Sequence, residues 1–186
     1  MYYTFQGPTF ERMPDSWWTV LKGLSLTNQA GEGPCYPLRM EFVHDIVESY
    51  QETSTTTCFA ILELIDGLSK TEICTPGLIK GVCLLEKGRD EVTIDLFCAR
   101  LGRGTPLMNY VKNFVLTKTK LKQIAVNSVV QAWKFYWKCG FRIDLRETSP
   151  LSKIPLADLY DMKKVDRWMK RHPRVDDVII PMILSL

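Results

Sequence analysis

The apolar residues of the first fifty positions are spaced as in two amphipathic helices. In PDSWWTVLKGL (14–24), Asp15 or Ser16 can cap a helix that the following apolar residues continue. The second helix is indicated by apolar residues at helical intervals, at Leu38, Phe42, Ile46 and Val47. The opening residues MYYTF are compatible with an edge strand.

Three apolar runs of strand length follow, at residues 58–65, 77–86 and 91–99. The polar residues 87–90 form a turn of hairpin length between the second and third runs, whereas 66–76 is a longer polar loop. The pattern therefore predicts three consecutive strands in the first half of the chain.

Beyond residue 100 helical and strand patterns alternate. The next helix is indicated by an apolar stripe at Leu107, Val111, Phe114 and Val115. Thr105 can cap this helix, and Pro106 suits its first position. Residues 121–127 read as a short strand.

The stretch VVQAWKFYWKCGF (129–141) predicts another helix, rich in aromatic residues. Ser128 and Gln131 have the spacing of a capping box, and Gly140 suits the position after the helix end. A polar segment at about 145–175, with a helix predicted from Ala157 to Lys170, precedes a final apolar strand.

This order predicts an α+β fold, a mixed sheet with helices on both faces. The length of 186 residues suits a single domain over 1–186, with 145–175 as an insertion before the last strand. No apolar run approaches the ~20 residues of a membrane span, and no targeting signal is visible. We expect an intracellular protein, cytoplasmic or nuclear, without a membrane partner.

Cysteine and histidine positions do not indicate a metal site. The six cysteines form no C-x-x-C pair, and His44 and His172 are the only histidines. We expect all six cysteines to be reduced and structural, as in an intracellular compartment.

The net charge of +3 is too small to indicate a nucleic-acid partner by itself. Basic residues nevertheless crowd one late segment, at Lys163, Lys164, Arg167, Lys170, Arg171 and Arg174. This cluster is either a solvated helix face or a surface for an acidic partner.

One chemical motif is CARLGRGTPLM, in which Gly102 and Gly104 lie between a strand and a helix N-terminus. Bare backbone N–H groups and the helix dipole suit an anion here, and a Cβ would obstruct its approach. A phosphate-binding P-loop is excluded because no Gly-Lys-Ser/Thr follows, and Leu107 occupies the third glycine position of a dinucleotide-binding fingerprint. An ordinary glycine turn remains an alternative.

A second motif follows in Ala132, Phe135-Tyr136, Lys138 and Gly140-Phe141. Together the two motifs resemble those of the GNAT superfamily of acyl-CoA-dependent N-acetyltransferases. The resemblance covers residues 58 to about 144 and the terminal strand. Ala99 and Val129 depart from the Gln/Arg and Asn common in the family, and the strand glutamate of the histone-acetyltransferase branch has no clear counterpart.

The resemblance implies a mostly antiparallel sheet with splayed parallel strands, and transfer of an acetyl group from acetyl-CoA to an amine of a protein or small molecule. By position, Tyr136 would protonate the departing thiolate, and a main-chain N–H near Phe97–Ala99 would bind the oxyanion. Arg100, Arg103 or Lys112 could contact phosphates. The predicted cofactor-binding residues are Phe97, Cys98, Ala99, Arg100, Leu101, Gly102, Arg103, Gly104 and Thr105.

The general base remains open among Asp95, Glu91 and Glu63, with the first two preferred because they precede the loop on one strand. We expect the 145–175 insertion to form one wall of the acceptor cleft. Two other functions stay open: a catalytically silent GNAT fold that binds CoA or a partner, and nucleic-acid binding through 163–174, which the weak charge makes the less favoured.

Overall fold

The structure is a computed structural model of the chain. It describes residues 1–7, 15–24, 35, 38, 40–53, 55–65, 76–146, 154–171 and 179–186. Most of the predicted 66–76 loop lies outside the described residues, as do both ends of the predicted insertion.

Five α-helices and seven strands are formed by the described residues. In chain order they are β1 (Tyr2–Gln6), α1 (Asp15–Gly23), α2 (Met40–Gln51), β2 (Cys58–Leu64), β3 (Ile79–Lys87), β4 (Val92–Ala99), α3 (Gly104–Phe114), β5 (Gln123–Val129), α4 (Trp133–Lys138), β6 (Arg142–Ile143), α5 (Met162–Arg171) and β7 (Ile179–Ser185). Short 3-10 turns at Pro76–Leu78 and Leu156–Asp158 precede β3 and α5, and a π-helical turn at Val115–Thr119 follows α3.

The strands form a single sheet in the order β1-β2-β3-β4-β5-β7-β6. All neighbours are antiparallel except β4 and β5, whose parallel pairing runs only from Val92 opposite Ile124 to Ile94 opposite Val126. The prediction of a mixed, mostly antiparallel sheet with splayed parallel strands is confirmed.

Apolar side chains cover both faces of the sheet. The helices α3, α4 and α5 pack on one face, with a core that includes Val111, Trp133, Tyr136, Val165 and Met169. The helices α1 and α2 pack on the other, with a core that includes Trp17, Leu21, Val43 and Val47. Residues of β4 contribute to both cores, so this central strand is where the two layers meet.

Three predicted helix starts are wrong. The helix α3 begins at Gly104, where the N–H of Arg103 has closed a turn on the carbonyl of Arg100, so Thr105 lies inside the first turn rather than at the cap. Ser128 belongs to β5, and α4 begins only at Trp133. The helix α5 begins five residues later than expected, at Met162. Gly140 does follow the end of α4, with φ of +98°.

The expectation that all six cysteines are reduced is wrong for two of them. Cys35 forms a disulfide with Cys98 of β4, whereas Cys58, Cys83 and Cys139 are free thiols. Because disulfides are rare in the cytosol, the argument from reduced cysteines to an intracellular location does not hold. No helix in the described ranges is long and apolar enough to cross a membrane.

Candidate active site

The strands β4 and β5 separate at an irregularity in β4. In its pairing with β3, Leu84 lies opposite Leu96 while Leu85 lies opposite Ile94, so Asp95 is an extra, bulged residue. The parallel pairing with β5 ends at the same level, at Ile94 opposite Val126. A bulge bends its strand and leaves backbone groups unpaired, so it opens the sheet at this point.

The opening is a cleft of about 90 Å³. Both layers of the fold line it, because the gap between β4 and β5 connects the two faces of the sheet. Its described lining consists of Cys35, Leu38, Phe42, Ile94, Asp95, Leu96, Phe97, Val126, Asn127, Ser128, Val129, Ala132 and Tyr136.

Tyr136 enters the cleft from α4. Its ring packs against Phe97, Phe135 and Phe141, with centroid distances of 6.2, 5.3 and 5.4 Å. Tyr136 is only 5% exposed, and burial raises the pKa of its hydroxyl well above the ordinary value. The hydroxyl is therefore protonated at neutral pH, as a proton donor must be.

The glycine loop lies between the end of β4 and the start of α3. Gly102 has a φ of +78°, and nothing lies within 4 Å of the position that a Cβ would occupy. Gly104 is in close contact with α4, since a Cβ there would lie 2.9 Å from Cε2 of Phe135. In the first turn of α3, Pro106 has no N–H and the N–H of Leu107 donates to the carbonyl of Arg103. The N–H groups of Gly104 and Thr105 have no carbonyl within the helix to bind, so these two can receive an anion.

The fold of the chain is similar to that of solved acetyltransferases. An acetyltransferase of the GNAT family from Staphylococcus aureus aligns over 100% of this chain and 99% of its own, at 14% identity with a TM-score of 0.57. Tetrahymena GCN5 aligns over 100% and 95%, at 14% identity and 0.56. Campylobacter jejuni N-acetyltransferase PseH, solved with acetyl coenzyme A, aligns over 100% and 99%, at 12% and 0.54. The chain has the GNAT fold. No protein-family model and no curated protein matches the sequence, so the likeness is one of structure.

Within this GNAT fold, Asp95 shares the cleft with Tyr136. The hydroxyl of Tyr50, at the end of α2, donates a hydrogen bond of 2.6 Å to Oδ2 of Asp95. Burial raises the pKa of the Asp95 carboxyl, and the Tyr50 hydrogen bond opposes part of that rise. A carboxylate whose pKa is raised toward neutrality is a better proton acceptor than an ordinary surface aspartate.

The other two candidate bases lie outside the cleft. Glu91 precedes the first residue of β4, roughly 13 Å of strand from Asp95, and accepts a 2.7 Å hydrogen bond from Arg146. Glu63 is on β2, 1% exposed, and forms an ion pair with Arg103. Asp95 therefore lines the same cleft as Tyr136, whereas Glu91 lies before the start of β4 and outside the cleft.

The three basic side chains that could contact phosphates make hydrogen bonds within the protein in this structure. Arg100 donates from Nε and Nη2 to the carbonyls of Ile79 and Gly77, at 3.0 and 2.8 Å. Arg103 is held by Glu63, and Lys112 donates to the carbonyl of Cys139. In this structure the two arginines therefore link the loop to β2 and to the residues at the start of β3.

The helix α5 packs beside α4 and not at the cleft. An ion pair joins Lys134 of α4 to Asp166 of α5, and the buried side of α5 joins the core under α3 and α4. No residue of 154–171 is among the described residues that line the cleft, so this part of the insertion does not form the expected wall at this cleft. On the side of α2 the described lining consists of Cys35, Leu38 and Phe42.

The basic segment is partly neutralised. Lys164 pairs with Asp158, and Lys170 pairs with Asp166. Lys163, Arg167 and Arg171 are exposed, and Arg174 lies outside the described residues. Within α5 the cluster therefore behaves mainly as a solvated face.

Sequence reasoning missed Tyr50 and Cys35. Tyr50 continues the buried stripe of α2 at Val43 and Val47, where a hydroxyl must find a partner. That spacing is a signal that could have indicated Tyr50. Cys35 had no local signal, because its partner Cys98 lies 63 residues away.

Proposed function

We propose that this protein transfers an acetyl group from acetyl-CoA to a primary amine. The observation that carries the proposal is the cleft between β4 and β5, where Tyr136 and Asp95 line one small cavity. Two structures of similar fold support the donor, since PseH was solved with acetyl coenzyme A and a Thermoplasma acidophilum PaiA N-acetyltransferase with coenzyme A.

The loop and the first turn of α3 suit the pyrophosphate of the donor. The space beside Gly102 would be filled by any Cβ, and the helix dipole favours negative charge at this end. Residues Phe97–Thr105 would hold the donor chiefly through their main chain, because Arg100 and Arg103 are engaged elsewhere. Acetyl-CoA supplies the activated acetyl group as its thioester.

Three proton and charge movements are required of the protein. The attacking amine must lose a proton, since an amine with a pKa of ~10.4 is neutral in only about one molecule in 10³ at pH 7. In this proposal Asp95 accepts that proton. A main-chain N–H near Phe97, beyond the bulge, stabilises the oxyanion that forms as the C–N bond forms.

The C–S bond then breaks, and the leaving thiolate takes a proton. Tyr136 donates it, because its hydroxyl is protonated at neutral pH and lines the cleft. The nitrogen of the adduct loses its second proton to solvent, solvent returns a proton to Tyr136, and the proton on Asp95 is lost to solvent. The cycle therefore closes with one amide, one free thiol and one net proton released for each ammonium group acetylated.

The test is turnover with acetyl-CoA and a set of primary amines, following thiol release and the acetylated product by mass spectrometry. Tyr136→Phe should lower kcat roughly 10²-fold with acetyl-CoA affinity nearly unchanged. Tyr160→Phe is the control, because Tyr160 is 62% exposed and is not among the residues that line the cleft. If acetyl-CoA binds but no amine is acetylated, the chain is a binding module and the proposal fails.

A further inference from the structure

The acceptor side of the cleft has an apolar wall. Its described residues on the α2 side are Cys35, Leu38 and Phe42. Cys35 is 1% exposed, whereas Phe42 keeps 46% of its surface accessible. A large aromatic ring that is half exposed and also lines a cavity is placed to cover part of a ligand.

This wall is fixed to the catalytic strand at two points. The disulfide joins Cys35 to Cys98 of β4, three residues beyond Asp95, and the N–H of Leu38 donates to the carbonyl of Cys35 at 2.8 Å. At the far end of α2, Tyr50 is hydrogen-bonded to Asp95. An acceptor would therefore meet a wall that is already in place.

Charge in the cleft is limited to one group. Asp95 is the only charged side chain among the residues described as lining it, and the remaining lining is apolar except for Asn127, Ser128 and Tyr136. A single half-buried carboxylate can pair with one ammonium group. A second charge or a strongly polar body on the acceptor would be desolvated here without a partner, which is costly.

We propose that the acceptor is a small primary amine carried on an apolar body, with the body against Phe42 and Leu38 and the amine at Asp95. This inference rests on the proposed function and names its acceptor class. The apolar wall would disfavour a lysine side chain within a polar peptide, because the backbone amides of the peptide would have to lie against it.

The experiment compares three acceptors at a fixed concentration of acetyl-CoA: 2-phenylethylamine, ethanolamine and Nα-acetyl-lysine methylamide. We expect kcat/KM for 2-phenylethylamine to exceed the other two by roughly tenfold or more, the scale on which an apolar pocket discriminates. Equal values, or a preference for the lysine compound, would overturn the inference while leaving acetyl transfer itself established.

Two variants test whether Phe42 causes the preference for 2-phenylethylamine. Phe42→Ser should raise KM for 2-phenylethylamine roughly tenfold and leave KM for ethanolamine unchanged. Leu116→Ser is the matched control, because Leu116 is 45% exposed and is not a lining residue of the cleft. An unchanged KM in Phe42→Ser would contradict the placement of the apolar body. No product from any amine, with acetyl-CoA bound, would defeat both this inference and the proposed function.

Discussion

Replacing Arg103 by methionine would remove the positive partner of a buried carboxylate. Glu63 is 1% exposed, and its Oε2, like Nε of Arg103, is buried without a hydrogen-bond partner in the described structure. Breaking a buried ion pair by removing one member typically costs ~3–5 kcal/mol. The Arg103 side chain is 39% exposed, so water can reach part of the site, and we expect the lower end, about 3 kcal/mol.

Replacing both members should cost much less. In Glu63→Met/Arg103→Met no charge is left buried, and apolar replacements of buried pairs are often neutral or stabilising. We expect the double variant to lie within about 1 kcal/mol of the wild type. Urea denaturation followed by circular dichroism measures all four proteins. A single Arg103→Met variant that loses less than about 1 kcal/mol, or a double variant that sums the two single losses, would refute the reasoning.

The same variants decide what Arg103 does for the donor. If Arg103 braces the loop through Glu63, Glu63→Met should weaken acetyl-CoA binding, because an unbraced loop must be ordered on binding. If Arg103 contacts phosphate directly, freeing it from Glu63 should strengthen binding instead. Titration calorimetry separates the two outcomes. Arg89→Met, in the exposed turn between β3 and β4, is the matched control for Arg103→Met, because it also removes one positive charge.

Three further outcomes follow from the site. Burial raises the pKa of Asp95, and the hydrogen bond from Tyr50 lowers it. Tyr50→Phe should therefore raise the pKa of Asp95 further and move the acid limb of the kcat/KM profile to higher pH. An acid limb that does not move would exclude Asp95 as the base. Cys35→Ser removes the disulfide between residues 63 positions apart and should lower the free energy of unfolding, measured by urea denaturation, by up to ~4 kcal/mol. Dithiothreitol should cause the same loss in the wild type and no further loss in the variant. Gly102→Val places a branched side chain at a φ of +78°, which costs ~1–2 kcal/mol, and should abolish the thermal shift by acetyl-CoA while the chain stays folded; a retained shift would mean that the donor does not approach this residue.

Local patterns were sufficient for most elements. The strand runs at 58–65, 77–86 and 91–99 and the apolar stripe of α3 correspond to observed elements within a few residues, because side-chain periodicity is a property of neighbouring positions. The errors fall where a long-range contact competes with a local signal. Ser128 could cap a helix, yet β5 continues through Val129 because β7 pairs with it as far as Ile179.

In the candidate site, too, local patterns identified some residues, whereas others depend on long-range contacts. The register of the second motif was enough to single out Tyr136, which lines the cleft. Asp95 and Glu91 could not be separated by sequence, because both are carboxylates on or beside one strand. Their separation depends on the bulge, which is defined by the pairing of β4 with β3, and on Tyr50, which is 45 residues from Asp95.

The amino-acid sequence by itself was enough to predict the mixed sheet, the position of the glycine loop before α3 and the importance of Tyr136 in α4. Each prediction was made from residue types a few positions apart. Only the tertiary structure decided which residues distant in sequence contact each other. Arg103 meets Glu63 across 40 residues, and Cys35 meets Cys98 across 63. Both contacts exist because β4 lies at the centre of the sheet, where the two helical layers and the preceding strands converge, and no local pattern along the chain encodes that convergence.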